Sequence, residues 1–201
     1  MTRFALQFGQ TQQGLVYVER PVVHGICPRG EEKIALARIG KQAPFEYDLP
    51  GGGVEADEDE AAALMREFAE ETGLTVWPDR LLGRAGQYWV AAGEPRNNLG
   101  TFYEVELSAD DGEPTEPDHA LAWMSPYEAI GKVRHESHGW AIMHWLRARK
   151  AAQRGGIEPA ATTRTTCCGP VLMTELSELF YFCAKQLGWK WSFSHARNVS
   201  F

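Results

Sequence analysis

Residues Gly52 to Leu74 constrain this chain more than any other stretch, and they read G-G-V-E-A-D-E-D-E-A-A-A-L-M-R-E-F-A-E-E-T-G-L. They follow a strand-like Tyr47-Asp48-Leu49 and a turn at Pro50-Gly51. The glycines allow a tight loop in which backbone approaches a ligand closely. Asp57 reads as a helix N-cap, with Glu60 three residues on as its capping-box partner. The pattern predicts a helix from about Glu58 to Thr72, stopped by Gly73 at the C′ position. Ala61, Leu64, Met65 and Phe68 recur at helical spacing and form the expected buried stripe. Glu67, Glu70 and Glu71 stand at i, i+3 and i+4, so their carboxylates converge on a neighbouring face.

Like charges packed this closely repel, and helix propensity does not ask for them. A solvated acidic face would tolerate them; a divalent cation would use them. Mg²⁺ is a hard ion that takes carboxylate oxygens, keeps several waters and bridges to substrate phosphates.

The spacing goes further than the charges. This stretch resembles the Nudix hydrolase family, whose box is G-x5-E-x7-R-E-U-x-E-E-x-G-U with U apolar. The matching residues are Gly52, Glu58, Arg66, Glu67, Phe68, Glu70, Glu71, Gly73 and Leu74, without departure. Such a match arises by chance less than about one time in a million at average residue usage. Compatible flanking elements extend the likeness from about residue 15 to 150.

The resemblance implies an α/β fold, a mixed β-sheet sandwiched between α-helices. It implies an enzyme, a pyrophosphohydrolase that attacks one phosphorus of a diphosphate bridge with water, using Mg²⁺ or Mn²⁺. By position, Glu67, Glu70 and Glu71 become metal ligands, joined by the backbone carbonyl of Gly51. Glu58 and Arg66 become the ion pair that holds the loop against the helix and orients those ligands. Glu70 and Glu71 are candidate bases, and a carboxylate from outside the box is expected to join them. The acidic loop Asp110 to Asp118 offers Glu113, Glu116 and Asp118, with Glu116 the first choice and Asp118 the second. The substrate expected is a small nucleotide or other nucleoside diphosphate derivative, of the nucleoside triphosphate or nucleotide sugar class. Markers of three subfamilies are missing: Pro95 lies too far along for an ADP-ribose pyrophosphatase, Tyr88 falls short of the diadenosine polyphosphate position, and no coenzyme A signature precedes the box.

The rest of the chain supplies strands and two helices. Residues 3–8 read as a short edge strand, and Leu15 to Cys27 as a strand interrupted by Pro21. Lys33 to Arg38 reads as its hairpin partner across a turn at Pro28 to Glu32. Arg38, at the end of that strand, is either a phosphate contact or a solvated arginine. Phe45 to Leu49 leads into the box. Leu81 to Ala92 and Leu99 to Leu107 read as strands joined by a polar turn at Gly93 to Asn98, and His119 to Met124 as a short strand. Ser125-Pro126 starts a helix with serine as N-cap and proline at N1. A second helix runs from about Ser137 to Ala152. Tyr88, Trp89, Phe102, Tyr103 and Trp123 are each either base-stacking or core residues. Among the histidines only His119, beside the acidic loop, draws attention. The expected organisation is a catalytic domain over 1–150 and an appendage over 151–201, without catalytic residues, outside the resemblance.

Composition sets the outer bounds. The net charge is −7 over 201 residues, with no dense Lys/Arg run. That argues against a groove tracking DNA or RNA, although bound metal can still attract a nucleotide. No stretch is apolar and long enough to span a bilayer, and the N-terminus lacks the signal-peptide pattern. A cytoplasmic location is the default expectation, and a homodimer is compatible with the sequence. The four cysteines show no metal spacing and read as free thiols. Two other functions compete: a non-catalytic Nudix-like sensor that binds a nucleotide, and an isomerase of isoprenyl diphosphates. Three retained glutamates argue against the sensor, and the lack of a suitably placed cysteine argues against the isomerase.

Overall fold

The computed structural model of the chain describes residues 6–110 and 112–155. The elements in order are β1 (Gln7–Phe8), β2 (Val18–Ile26), β3 (Pro28–Arg29), β4 (Lys33–Ile39), β5 (Glu46–Asp48), β6 (Gly51–Gly53), α1 (Glu60–Thr72), β7 (Thr75–Ala91), β8 (Glu94–Ala109), β9 (His119–Met124), α2 (Pro126–Ile130) and α3 (Glu136–Gly155). They form an α/β fold with two sheets. The larger is mixed, in the order β1-β7-β8-β2-β6; in the smaller, β4 pairs with β3, β5 and β9.

Strand alternation explains why helices cover both faces of the mixed sheet. Val23 on β2 joins Leu64 and Phe68 of α1 in the buried cluster. Its neighbours Val22 and His24 turn the other way and meet His135, Ser137 and His138 at the start of α3. Gly25 is on the α1 face, where a Cβ would sit 2.6 Å from Cε2 of Phe68. The missing side chain lets that ring close onto the sheet. Cys27 is a free thiol in the same core, and burial pushes it up to about 12.

Several expectations need correction. Leu15–Cys27 and Lys33–Arg38 do not form a long hairpin. The chain changes sheets at Cys27: β2 lies between β6 and β8, whereas β4 pairs with β9 and β5, and only Pro28–Arg29 folds back on β4. The polar turn is tighter than Gly93 to Asn98. It is Ala92-Gly93, with φ of 48° and 87°, the left-handed pair a two-residue hairpin turn requires. Residues 94–98 are paired strand, and β7 reaches back to Thr75 instead of starting at Leu81. Ser125 caps α2 as expected, accepting from the Glu128 amide at 3.2 Å.

The box helix also begins later. Its N-cap is Asp59, whose Oδ1 accepts from the Ala62 amide at 2.8 Å. Neither partner of the expected Asp57 capping box serves that role: Asp57 is exposed ahead of the cap, and long-range partners draw Glu60 away. Glu60 accepts instead from the hydroxyls of Thr101 at 2.9 Å and Tyr103 at 2.8 Å. Ala61 is exposed in the first turn, Met65 is half-buried, and Ala63, Leu64 and Phe68 are buried. Gly73 closes the helix in the left-handed region at φ 74°, its amide bonded to the Ala69 carbonyl.

Candidate active site

Leu64, Phe68 and Glu71 fall at i, i+4 and i+7, one buried face of α1. Glu71 therefore sits on the apolar stripe instead of beside it. Its side chain is 11% exposed and that of Glu67 is 12%, whereas Glu70 is 39% exposed. Burial pushes the Glu71 carboxyl up to about 9, against the stabilising hydrogen bond from the Gly51 amide at 2.9 Å; Glu67 and Glu116 nearby push it the same way. Burial also raises Glu67, and the Arg66 guanidinium opposes that shift.

Arg66 does more than pair with Glu58. Its Nη2 donates to Glu58 Oε1 at 2.7 Å and to the Gly53 carbonyl at 3.1 Å, and its Nε to Glu58 Oε2 at 3.2 Å. Its Nη1 reaches Glu67 and Glu70, each at 3.0 Å. One cation thus joins the loop to the helix and partly offsets the repulsion between two acids. Glu58 also accepts from the Glu55 amide at 2.9 Å, and its carboxyl is held below the usual range, chiefly by Arg66.

The loop before β9 adds a fourth carboxylate. The amides of Thr115 and Glu116 both donate to the Glu70 carbonyl, at 2.9 and 3.1 Å. Those bonds satisfy a carbonyl in the last turn of α1 and fasten the acidic loop to it. Glu116 is thereby brought to the helix acids. Oxygens of Glu67, Glu70 and Glu116 lie within 4.8 Å of one another, as do ligand atoms of Glu71, Glu116 and His119. His119 stands between two acids, with Nδ1 2.6 Å from Glu116 and Nε2 3.5 Å from Glu71. Asp118 turns away to Lys41 at 3.2 Å, and Glu113 is exposed outside both groups.

Glycines make room for this arrangement. Gly51 has φ 138°, and a Cβ there would lie 2.1 Å from the Val23 carbonyl. A Cβ on Gly52 would lie 2.5 Å from the Glu67 carboxylate. Oxygen donors carried on a helix, one of them buried and protonated without a cation, suit Mg²⁺ or Mn²⁺.

The aromatic candidates separate. Phe102 is buried core, Tyr103 is bonded to Glu60, Trp123 lies under Arg29, and Tyr88 packs edge-on against Tyr17. Trp89 lines an open groove of about 540 Å³ with Gln87, Glu46, Arg134 and His135. A second cavity, by His24 and His138, has about 10 Å³, room for about one water. Arg38 stacks on Phe45 at 4.5 Å, and its buried Nε has no partner among the described residues. Sequence spacing missed a polar group in which buried His24, Asp48 and His138 meet the partly exposed Arg134. Local periodicity carries no signal for residues this far apart in the chain.

An acidic helix face and a glycine loop lie on a mixed sheet covered by helices on both faces, and the known proteins similar to this chain place it in a family. The NUDIX domain family matches residues 19–146. The chain belongs to the Nudix hydrolase family. The putative 8-oxo-dGTP diphosphatase 2 of Mycobacterium tuberculosis is 37% identical over 109 residues, 53% of this chain and 74% of that protein. The RNA pyrophosphohydrolase of Acidiphilium cryptum is 38% identical over 73 residues, 35% of this chain and 43% of that protein, so the chain spans under half of that relative. Among solved structures, a NUDIX hydrolase from Nitrosomonas europaea superposes with a TM-score of 0.57 at 20% identity, covering 65% of this chain and 90% of that one. The MutT protein of Methanosarcina mazei Go1 gives 0.54 at 19%, covering 68% and 99%. Among the described residues, no helix is long and apolar enough to cross a membrane.

Proposed function

We propose that the chain hydrolyses a diphosphate linkage in a nucleoside diphosphate derivative, a nucleoside triphosphate or a nucleotide sugar, with Mg²⁺ or Mn²⁺ held by Glu67, Glu70, Glu71 and the Gly51 carbonyl. The observation that carries the reading is the convergence of Glu67, Glu70 and Glu116 within 4.8 Å, with Arg66, among the described residues, the full positive charge paired with Glu67 and Glu70. When bound, the cation supplies positive charge to the bridging phosphates and lowers the pKa of the attacking water.

The chain's own residues divide the remaining work. Glu71 is buried and bonded to the Gly51 amide, a fixed geometry that suits a ligand better than a mobile base. Glu70 and Glu116 are 39% and 42% exposed, open to the solvent from which the nucleophile comes. Glu116, with His119 Nδ1 2.6 Å away, takes the water's proton. Glu58 and Arg66 keep the loop on the helix.

The test is phosphate release with Mg²⁺, and with the metal chelated, across nucleoside triphosphates, nucleotide sugars and dinucleoside polyphosphates. A 5′-triphosphorylated oligonucleotide belongs in the same panel, given the name of one relative. Metal-dependent turnover of a nucleotide or nucleotide sugar is the expected result. Tight nucleotide binding without turnover would support the sensor reading instead.

A further inference from the structure

We infer that His138 and Arg134, at the start of α3 and just before it, are positioning residues for the glycine turn that meets Glu71, and so set the affinity of the metal site. The inference rests on the hydrolase reading above. It starts from how the chain between Tyr47 and Gly51 is held. β5 ends at Asp48, where its pairing with β4 stops. The next residues cross to β6 through the interior, where Leu49 and Pro50 are buried, so their polar backbone groups need other partners.

Those partners come from three elements. The Arg134 amide donates to the Tyr47 carbonyl at 2.9 Å. The Arg134 guanidinium grips Asp48, its Nε 3.0 Å from Oδ2, and reaches Glu46 at 2.9 Å. The Leu49 amide donates to Nδ1 of His138 at 3.2 Å. The Leu49 carbonyl faces Nδ1 of His24 at 3.2 Å, and the Pro50 carbonyl accepts from the Gly25 amide at 3.0 Å. The next amide, that of Gly51, donates to Glu71. A single run of hydrogen bonds therefore joins the start of α3 to the most buried carboxylate of the cluster.

The run has little slack. A Cβ at Gly51 would meet both the Val23 carbonyl and the His24 ring, so the turn cannot shift toward β2. Nδ1 of His138 also lies 3.4 Å from Asp48 Oδ1. Nδ1 accepts from the Leu49 amide, and Arg134 holds the carboxylate. Loss of the acceptor at His138 leaves a buried amide without a partner and frees the turn to move away from Glu71.

The test uses Mn²⁺ alone as the probe, its binding to the full chain followed by electron paramagnetic resonance. His138→Leu removes the acceptor, and His138→Asn restores one near the position of Nδ1. Arg134→Gln, at a partly exposed site, removes the grip on Asp48 without opening a cavity. The inference predicts Mn²⁺ binding weakened by about tenfold or more in His138→Leu, the range found for groups that orient metal ligands. His138→Asn should stay within about threefold of wild type, and Arg134→Gln should weaken binding in the same direction. Wild-type affinity in His138→Leu, or equal losses in the Leu and Asn variants, would overturn the inference. Should His138→Leu fail to melt cooperatively, wild-type affinity in Arg134→Gln would overturn it. A wild-type chain that binds no Mn²⁺ would instead refute the hydrolase reading.

Discussion

At the scale of single residues, Glu71 carries the clearest consequence. In the metal-free protein burial keeps its carboxyl protonated up to about 9, against the ordinary glutamate value of 4.5. The folded state then holds more protons than the unfolded state between those values, so stability falls as pH rises through that window. Glu71→Gln removes the slope. Thermal melts without metal at about pH 6 and pH 8.5 should show wild type losing stability at the higher pH and the variant nearly level. A parallel loss in both would place the titration elsewhere. Arg66 gives a second prediction at this scale. It bonds Glu58, Glu67, Glu70 and the Gly53 carbonyl at once, so Arg66→Ala should destabilise the metal-free chain by about 1–2 kcal/mol, after allowing for partial exposure. It should also lower turnover by loosening the carboxylates. Denaturant melts and steady-state rates check both; unchanged values in both would show that the contacts carry little energy.

At the scale of elements, the loop–helix of the box acts through two adjacent glycines that fail differently. A Cβ at Gly51 meets backbone at 2.1 Å and the φ of 138° is unfavourable to any L side chain, so Gly51→Ala should cost roughly 3–5 kcal/mol. At Gly52 the obstacle is the end of the Glu67 side chain, which can swing aside. Gly52→Ala should fold, with a loss of about 1 kcal/mol, yet lose about tenfold or more in metal affinity. Calorimetry on the two variants, with and without Mn²⁺, separates the effects. This element was largely legible in the sequence. Helical spacing and the Gly73 stop read from nearby residues, because local periodicity records them, whereas the Arg66–Glu58 pairing followed from the resemblance to the Nudix box. The cap was misread by two residues, since Glu60 turns to Thr101 and Tyr103. The parallel pairing of β2 with β8, and the grouping of His24, Asp48, Arg134 and His138, depend on contacts between distant segments, which no local pattern records.

At the scale of the whole molecule, every candidate ligand lies within the family match, residues 19–146, and the described fold adds β1 before it and the end of α3 after it. The similar solved structures are covered to 90% and 99% by about two thirds of this chain. A chain ending at Gly155 is therefore predicted to keep its rate and metal response within about threefold, as every candidate ligand precedes that residue; residues 156–201, with the expected appendage and Cys167, Cys168 and Cys183, lie outside the described region. A rate lost in a truncated chain that still melts cooperatively would assign the tail a catalytic part. The central claim is that the acids of α1 form a metal-dependent hydrolytic centre, and paired measurements on Glu70→Gln and Glu71→Gln test it most directly. Each change keeps shape and removes one ionisable carboxyl. Phosphate release at fixed Mg²⁺ should fall by about a hundredfold or more in each, while metal-free melts rise in Glu71→Gln, which no longer takes up a proton on folding, and stay level or rise in Glu70→Gln as repulsion with Glu67 is relieved. Turnover at the wild-type rate in both variants would contradict the account.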